Sequence, residues 1–168
     1  QAHQWFNTSI VWETDKENTK GAEGVALVLR NMGKEEEAEN FAYEWRDRSD
    51  AMRSLFIDSV PQMLARLGET GTFPTERLKR FATQVTAAKS AYGAQALGWY
   101  AFQRKDYAPA LGWFKNALDW AGDAKDPKMV EGYVLALRST SQWDLAETIA
   151  YEWRDRADAM RAQYIEVF

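Results

Sequence analysis

The chain contains no cysteine and one histidine among its 168 residues. The absence of cysteine excludes disulfide bonds, cysteine metal ligands and thiol catalysis, but it does not choose between a reducing and an oxidising compartment. His3 alone cannot supply a metal site built from several imidazoles, and a Ser–His–Asp triad would need it inside a well-formed pocket. No two carboxylates stand in a distinctive apolar setting, as a glycosidase would require. We therefore expect a protein that is not an enzyme and that has no metal or cofactor.

Long apolar runs and an excess of positive charge are also missing. The longest apolar runs fall far short of the ~20 residues that span a bilayer, so we expect no membrane insertion. Lys and Arg number 21 against 25 Asp and Glu, and the net charge of -4 argues against a nucleic-acid partner. The chain starts at Gln1 in what reads as the middle of a helix. This suggests a piece of a longer protein, in which any targeting segment would lie elsewhere.

Aromatic residues are abundant, at 14% with eight Trp, and the chain repeats itself. The heptapeptide Ala-Tyr-Glu-Trp-Arg-Asp-Arg occurs at 42–48 and again at 150–156. Aligned at this offset of 108, residues 1–60 and 109–168 are identical at 25 of 60 positions. Repetition at a fixed spacing indicates an array of structural repeats. We expect 1–168 to form a single array, in which 1–60 ends one unit of three helix pairs and 61–168 is the next unit.

Apolar residues recur at helical spacing along nearly the whole chain, and no segment alternates with a period of two. We expect about ten helices, over 1–12, 19–32, 34–47, 51–66, 75–88, from a break at 89–90 to 104, 107–120, from 127 to a turn at 139–141, 142–156 and 158–168. Pro61 is expected to kink the fourth helix or to end it early. Gly68 to Pro74 reads as a loop. The predicted fold is therefore all-α, a solenoid of antiparallel helix pairs.

One segment in the second half of the chain carries a recognisable motif. Its residues are Leu97, Gly98, Asp106, Tyr107, Ala110, Phe114 and Ala117. They resemble the tetratricopeptide repeat (TPR), a helix–turn–helix unit of about 34 residues with Leu-Gly in its first helix and Ala-x3-Phe in its second. In physical terms, Gly98 and Ala110 let two helices approach closely and Phe114 fills the gap beside them. Ala94 and Ala101 depart from the family, which has Trp and Tyr at these places.

The resemblance implies a right-handed superhelix whose first helices line a concave groove that takes proteins or peptides. It also implies a binding scaffold without catalytic residues. Divergent, aromatic-rich arrays of this family are typical of bacterial periplasmic scaffolds, including those for secretion of cellulose and other exopolysaccharides. This slightly favours the periplasm over the cytoplasm and leaves contact with a polysaccharide open, with Trp99 and Phe102 as rings that sugars would stack on.

Three stripes of side chains at helical spacing are the candidate peptide-binding site. By resemblance to the family they face the groove. The candidate residues are Lys20, Glu23, Leu27, Arg30, Tyr92, Gln95, Trp99, Phe102, Gln103, Lys128, Glu131 and Arg138, and Leu135 completes the last stripe as the copy of Leu27. Charged ends and an aromatic middle suit a peptide with an apolar anchor and acidic flanks. Alternatively, Glu23 and Glu131 simply pair with neighbouring Lys and Arg side chains.

The duplicated heptapeptide has two interpretations. Its arginines form a recognition patch, or its charges form a solvated face next to a helix cap at Ser49 or Asp50. Its position at the junction between helix pairs favours the second interpretation, with Trp45 and Trp153 in the core. A structural spacer that self-assembles through its terminal helices is the remaining alternative for the whole chain.

Overall fold

The computed structural model describes residues 19–68 and 70–167, and these residues form helices and no strands. The all-α prediction is therefore confirmed for this part of the chain. The predicted helix over 1–12, with His3, lies outside it. The described helices are α1 (Thr19–Asn31), α2 (Glu35–Trp45), α3 (Asp50–Leu67), α4 (Thr75–Ala88), α5 (Ala91–Gln103), α6 (Tyr107–Ala121), α7 (Pro127–Ser139), α8 (Trp143–Trp153) and α9 (Asp158–Val167).

The chain divides into two compact units, Gln1–Met63 and Leu64–Phe168. In the first unit α1 packs against α2. In the second unit each helix packs against the next from α4 to α9, and α5 also contacts α7. Packing between helices that are neighbours in the chain is thus observed within each unit, whereas their arrangement as a solenoid stays a prediction.

Helices α5 and α7 each start after a residue whose side chain caps the first turn. α7 begins at Pro127, and the preceding Asp126 accepts a hydrogen bond from the backbone N–H of Lys128 at 2.7 Å. α5 begins after Ser90, whose Oγ accepts from the backbone N–H of Gly93 at 3.1 Å. Both side chains satisfy a backbone donor that the first turn of a helix leaves free. The observed helix ends therefore lie close to the predicted ones.

Helix α3 contains Pro61 and continues to Leu67, which agrees with the predicted helix over 51–66 and shows that Pro61 does not end it early. A proline in a helix interior costs about 3 kcal/mol, because it removes a hydrogen bond and crowds the preceding turn. Phe56, Val60 and Leu64 are buried on the same helix. Burial of each such side chain contributes about 1.5–3 kcal/mol. Tertiary packing thus outweighs the local preference to end the helix.

The core of the second unit is organised around Phe114, which is fully buried on α6. Its ring packs against Gly98 of α5, where a Cβ atom would lie 2.8 Å from the ring. It also packs against Gly132 of α7, where a Cβ atom would overlap the ring. Ala110 is buried one turn away on α6. The predicted packing of Gly98, Ala110 and Phe114 is therefore confirmed, and Gly132 adds a second glycine to it.

Candidate peptide-binding site

The duplicated heptapeptide forms the same structure in both copies. The guanidinium of Arg46 lies 4.0 Å from the centre of the Tyr43 ring, and its Nη1 donates to the Tyr43 carbonyl at 2.7 Å. Arg154 and Tyr151 repeat these contacts at 3.7 Å and 2.7 Å. Each arginine thus donates twice to one carbonyl at the end of its helix, from its side chain and, at 3.4 Å in both copies, from its backbone N–H. This use of the side chains supports the structural interpretation of the heptapeptide.

Two ion pairs lie in or next to the first heptapeptide. Arg53 pairs with Asp50 at 3.4 Å, one turn away on α3. Arg46 pairs with its chain neighbour Asp47 at 3.1 Å, beyond the end of α2 at Trp45. Pairs at the surface contribute about 0–1 kcal/mol each, so they add little to the stability of the junction.

Ser49 connects the first stripe to the start of α3. Its Oγ donates to Oε1 of Glu23 at 2.8 Å and accepts from the backbone N–H of Met52 at 3.3 Å. The expected cap at Ser49 is therefore present, and the same hydroxyl ties α3 to α1. The partner of Glu23 is thus a serine hydroxyl rather than the Lys or Arg of the alternative interpretation.

Arg30 occupies the other end of the first stripe and is exposed. It borders a shallow depression of about 20 Å³, large enough for one water molecule. The other residues around the depression are Glu35, Ala38, Leu55, Ser59, Gln62 and Met63. Lys20 and Leu27 are also exposed, Leu27 to 49%. The first stripe is thus a surface feature of the first unit, with only its glutamate engaged inside the protein.

The second copy keeps the stripe but changes the partner of its glutamate. Glu131 takes the place of Glu23, and Ala157 takes the place of Ser49. Ala157 precedes α9 as Ser49 precedes α3, but its methyl group can neither donate nor accept a hydrogen bond. Within the described part of the chain, the side chain of Glu131 makes no hydrogen bond and no ion pair. Glu131 as a whole is partly exposed.

Lys128 and Arg138 flank Glu131 along the last stripe. Lys128 is exposed, and Arg138 and Leu135 are partly exposed. Neither cationic side chain has an ion pair or a side-chain hydrogen bond among the residues described. The second copy therefore presents two cations, a carboxylate and an apolar side chain along one face of α7, with none of the three charges neutralised by a direct contact.

The middle stripe divides between core and surface. The Trp99 ring meets Phe114 edge to face, with centroids 5.0 Å apart, and lies 6.0 Å from Phe102. Both Trp99 and Phe102 pack against the core cluster that contains Phe114. Such aromatic pairs contribute about 0.5–1.5 kcal/mol beyond their burial, so both rings serve the fold. The stripe has three other members: Tyr92 and Gln103, which are exposed, and Gln95, which is partly exposed.

The middle and last stripes lie on helices that touch, since α5 contacts α7 within the second unit. Tyr133, next to Gly132 on α7, packs partly buried against the Phe114 cluster. This burial, with a smaller contribution from the Asp119 carboxylate on α6, raises the pKa of Tyr133. The first stripe lies on α1, in the first unit.

A third Tyr–Arg contact was not anticipated from the sequence. At the end of α5, the guanidinium of Arg104 lies 3.6 Å from the Tyr100 ring centre, and Nη1 donates to the Tyr100 carbonyl at 3.2 Å. The Tyr100 hydroxyl accepts from the backbone N–H of Phe73 at 3.0 Å, which fastens the segment before α4 to α5. An Arg placed three or four residues after a Tyr at a helix end is the sequence signal that identifies this device.

Within residues 19–68 and 70–167, no three His, Cys, Asp or Glu side chains converge on a potential metal site. None of the helices described is both long and apolar enough to cross a membrane. In comparisons with known proteins, no family model, no curated protein and no solved structure matches the chain. Support for a function therefore comes from the residues and contacts described above.

Proposed function

We propose that this chain is a non-catalytic, TPR-like scaffold that binds protein or peptide partners, with the stripe on α1 as a binding surface of the first unit and the stripes on α5 and α7 as a binding surface of the second. The observation that carries the proposal is a difference between the two copies. The Lys, Glu, Leu and Arg of the first stripe recur unchanged in the last stripe. Ser49, which engages Glu23 in the first copy, is replaced by Ala157 in the second.

A residue that is kept only for the fold is expected to keep its partner as well. Glu131 is partly exposed, so water can hydrogen-bond to its carboxylate and its retention costs the fold little. The contact that a carboxylate makes at this place in the first copy, the hydrogen bond from Ser49 to Glu23, has no counterpart at Ala157. A ligand that donates to Glu131 would give the retained stripe a role that this internal contact no longer provides, and this supports an external partner.

The test is the double substitution of Arg30→Ala with Arg138→Ala. Random 12-residue peptides are selected by display against the natural chain, and the affinity of the selected peptides is measured by fluorescence anisotropy. Hydrogen bonds to charged groups contribute about 1.5–3 kcal/mol, so loss of either contact should weaken binding at least about tenfold. The melting temperature should not fall, since neither guanidinium bonds to a described residue.

The matched control is Lys115→Ala with Lys125→Ala, which removes the same charge from exposed positions outside the stripes. This control should bind the selected peptides as the natural chain does. Equal affinity in the arginine double variant, or an equal loss in the lysine control, would reject the stripes as the binding site.

Self-association is a second candidate, supported by a difference in exposure between the copies. Ile165 on α9 is 71% exposed, whereas its counterpart Ile57 on α3 is 5% exposed. The second copy thus presents to solvent an apolar side chain that the first copy buries. If a second copy of this chain covers α9, sedimentation equilibrium will show dimers that Ile165→Asp abolishes. A chain that stays monomeric at all concentrations would reject this candidate.

A further inference from the structure

We propose that one face of the last two helices docks an amphipathic helix of a partner protein, whose basic side chains lie beside its apolar stripe. This α8–α9 face consists of Trp143, Glu147 and Tyr151 on α8 and Ile165 on α9. It contains none of the residues of the three stripes, so the inference does not depend on peptide binding there.

Helix geometry brings the residues of the α8–α9 face together. Trp143, Glu147 and Tyr151 are spaced by four residues, which places them along one side of α8. α8 packs against α9, and the Tyr151 ring lies 5.6 Å from the ring of Tyr164, the residue before Ile165. The three apolar members of the face are all exposed to solvent. Clustered apolar side chains at a surface are typical of a docking site for another protein element.

The first copy buries the same positions. Ile57, the counterpart of Ile165, is almost fully buried, and Glu39, the counterpart of Glu147, is only 2% exposed. Glu39 has a hydrogen-bonding or charged partner inside the protein, as a buried carboxylate requires. In contrast, Glu147 is exposed and makes no hydrogen bond or ion pair with any residue that the structure describes. The repeat is therefore compatible with a covered face, provided that a donor reaches the glutamate.

The charge of the α8–α9 face determines which helix fits it. α8 carries Asp144, Glu147 and Glu152 and no basic residue. Residues 143–167 hold six acidic and three basic side chains. The basic ones all contact neighbours in the same segment: Arg154 the Tyr151 ring, Arg156 the Trp153 ring and Arg161 the Asp155 carboxylate. Two such faces would repel each other in a symmetric dimer, whereas a basic helix is attracted.

One helix of this chain has the chemistry that the face requires. On α4, Leu78, Phe81 and Val85 recur at helical spacing and form an apolar stripe. Arg77 and Arg80, one turn apart, lie along one flank of that stripe. A helix of this type can place its apolar stripe on the aromatic and aliphatic side chains of the face while an arginine donates to Glu147.

The probes are two fluorescein-labelled peptides, residues 74–90 of this chain and the same peptide with Arg77→Glu and Arg80→Glu. Their affinity for the full chain is measured by fluorescence anisotropy. The natural peptide should bind at least about tenfold more tightly than the charge-reversed one. Ile165→Asp should weaken binding of the natural peptide at least about tenfold, because it places a charge in the apolar part of the face.

The decisive variant is Glu147→Lys, which reverses one charge of the face. It should bind the natural peptide about tenfold more weakly and the charge-reversed peptide about tenfold more tightly than the natural chain does. Loss of folding cannot produce this reversal, and circular dichroism verifies that the variant is folded. The matched control is Asp123→Lys, the same charge change at an exposed position between α6 and α7. It should bind both peptides as the natural chain does.

Three outcomes would overturn the inference. The first is that neither peptide binds, or that both bind equally. The second is that Glu147→Lys keeps the preference of the natural chain, which would place the peptide elsewhere. The third is a dimer in sedimentation equilibrium that Ile165→Asp abolishes, which would assign the face to a second copy. The proposed function is tested separately, by the displayed peptides and the double substitution of Arg30 and Arg138.

Discussion

Substitution of single glycines tests the packing around Phe114 quantitatively. Gly132 lies against the buried ring, and an added Cβ would overlap it. Overpacking a filled core costs about 1–3 kcal/mol. Alanine also gains about 1 kcal/mol over glycine in a helix interior. For Gly132→Ala we therefore expect a net loss of at most about 2 kcal/mol, which lowers the melting temperature by up to roughly 8 °C for a chain of this length.

Gly112 is the matched control, because it lies on α6 and nothing stands within 4 Å of the place where its Cβ would be. Gly112→Ala should stabilise the protein by about 0.5–1 kcal/mol through the loss of unfolded-state freedom. Gly98→Ala should fall between the two, since its Cβ would approach the ring at 2.8 Å. Urea unfolding monitored by circular dichroism gives all three free energies.

A double-mutant cycle separates the steric effect from helix preference. In a Phe114→Leu background the ring is gone, so Gly132→Ala should cost at least about 1 kcal/mol less than it does in the natural chain. The reasoning is refuted if Gly132→Ala is as stable as Gly112→Ala, or if the two substitutions at Gly132 and Phe114 are additive.

The remaining predictions concern a tyrosine, an arginine and a helix cap. Because the pKa of Tyr133 is raised in the folded protein, the unfolded chain loses this proton first, and the free energy of unfolding falls as the pH rises above 10.0. Tyr133→Phe should reduce that fall, as measured by urea titrations at about pH 9 and 11. Arg104→Lys should cost about 0.5–1 kcal/mol in thermal unfolding, because lysine cannot both stack on Tyr100 and reach its carbonyl. Ser49→Ala should cost about 1 kcal/mol by the same assay, as it removes the cap of α3 and the donor to Glu23. A Tyr133→Phe variant with unchanged alkaline loss, or either other variant at natural stability, would contradict the corresponding contact.

Helix positions were predictable from the sequence because the signals are local. Apolar spacing placed each described helix, and the expected cap at Ser49 or Asp50 placed the start of α3. For α3 the sequence predicted a helix over 51–66 but left open whether Pro61 would kink it or end it early, because continuation through a proline depends on side chains that become buried only in the folded unit. At Pro61 the local preference to end the helix opposed tertiary packing, and the helix continues because packing contributes more free energy.

The candidate site was predictable as a pattern but not in its contacts. The spacing of Lys128, Glu131 and Arg138 follows from helix geometry alone. The bond between Ser49 and Glu23 joins residues 26 apart in the chain, and no periodicity reveals such a pair. The replacement of Ser49 by Ala157 can be interpreted only once this bond is known, because it removes the hydroxyl that donates to the glutamate.

The substitution Ala157→Ser addresses the open carboxylate of Glu131 most directly, because it gives the second copy the hydroxyl of the first. The new serine should cap α9 and donate to Glu131, which raises the free energy of unfolding by about 1 kcal/mol. Affinity for the peptides selected by display against the natural chain, measured by fluorescence anisotropy, should fall about tenfold, since hydrogen bonds to charged groups contribute about 1.5–3 kcal/mol and Glu131 would then be engaged inside the protein. A more stable variant that binds these peptides as tightly as the natural chain would contradict Glu131 as the ligand's acceptor.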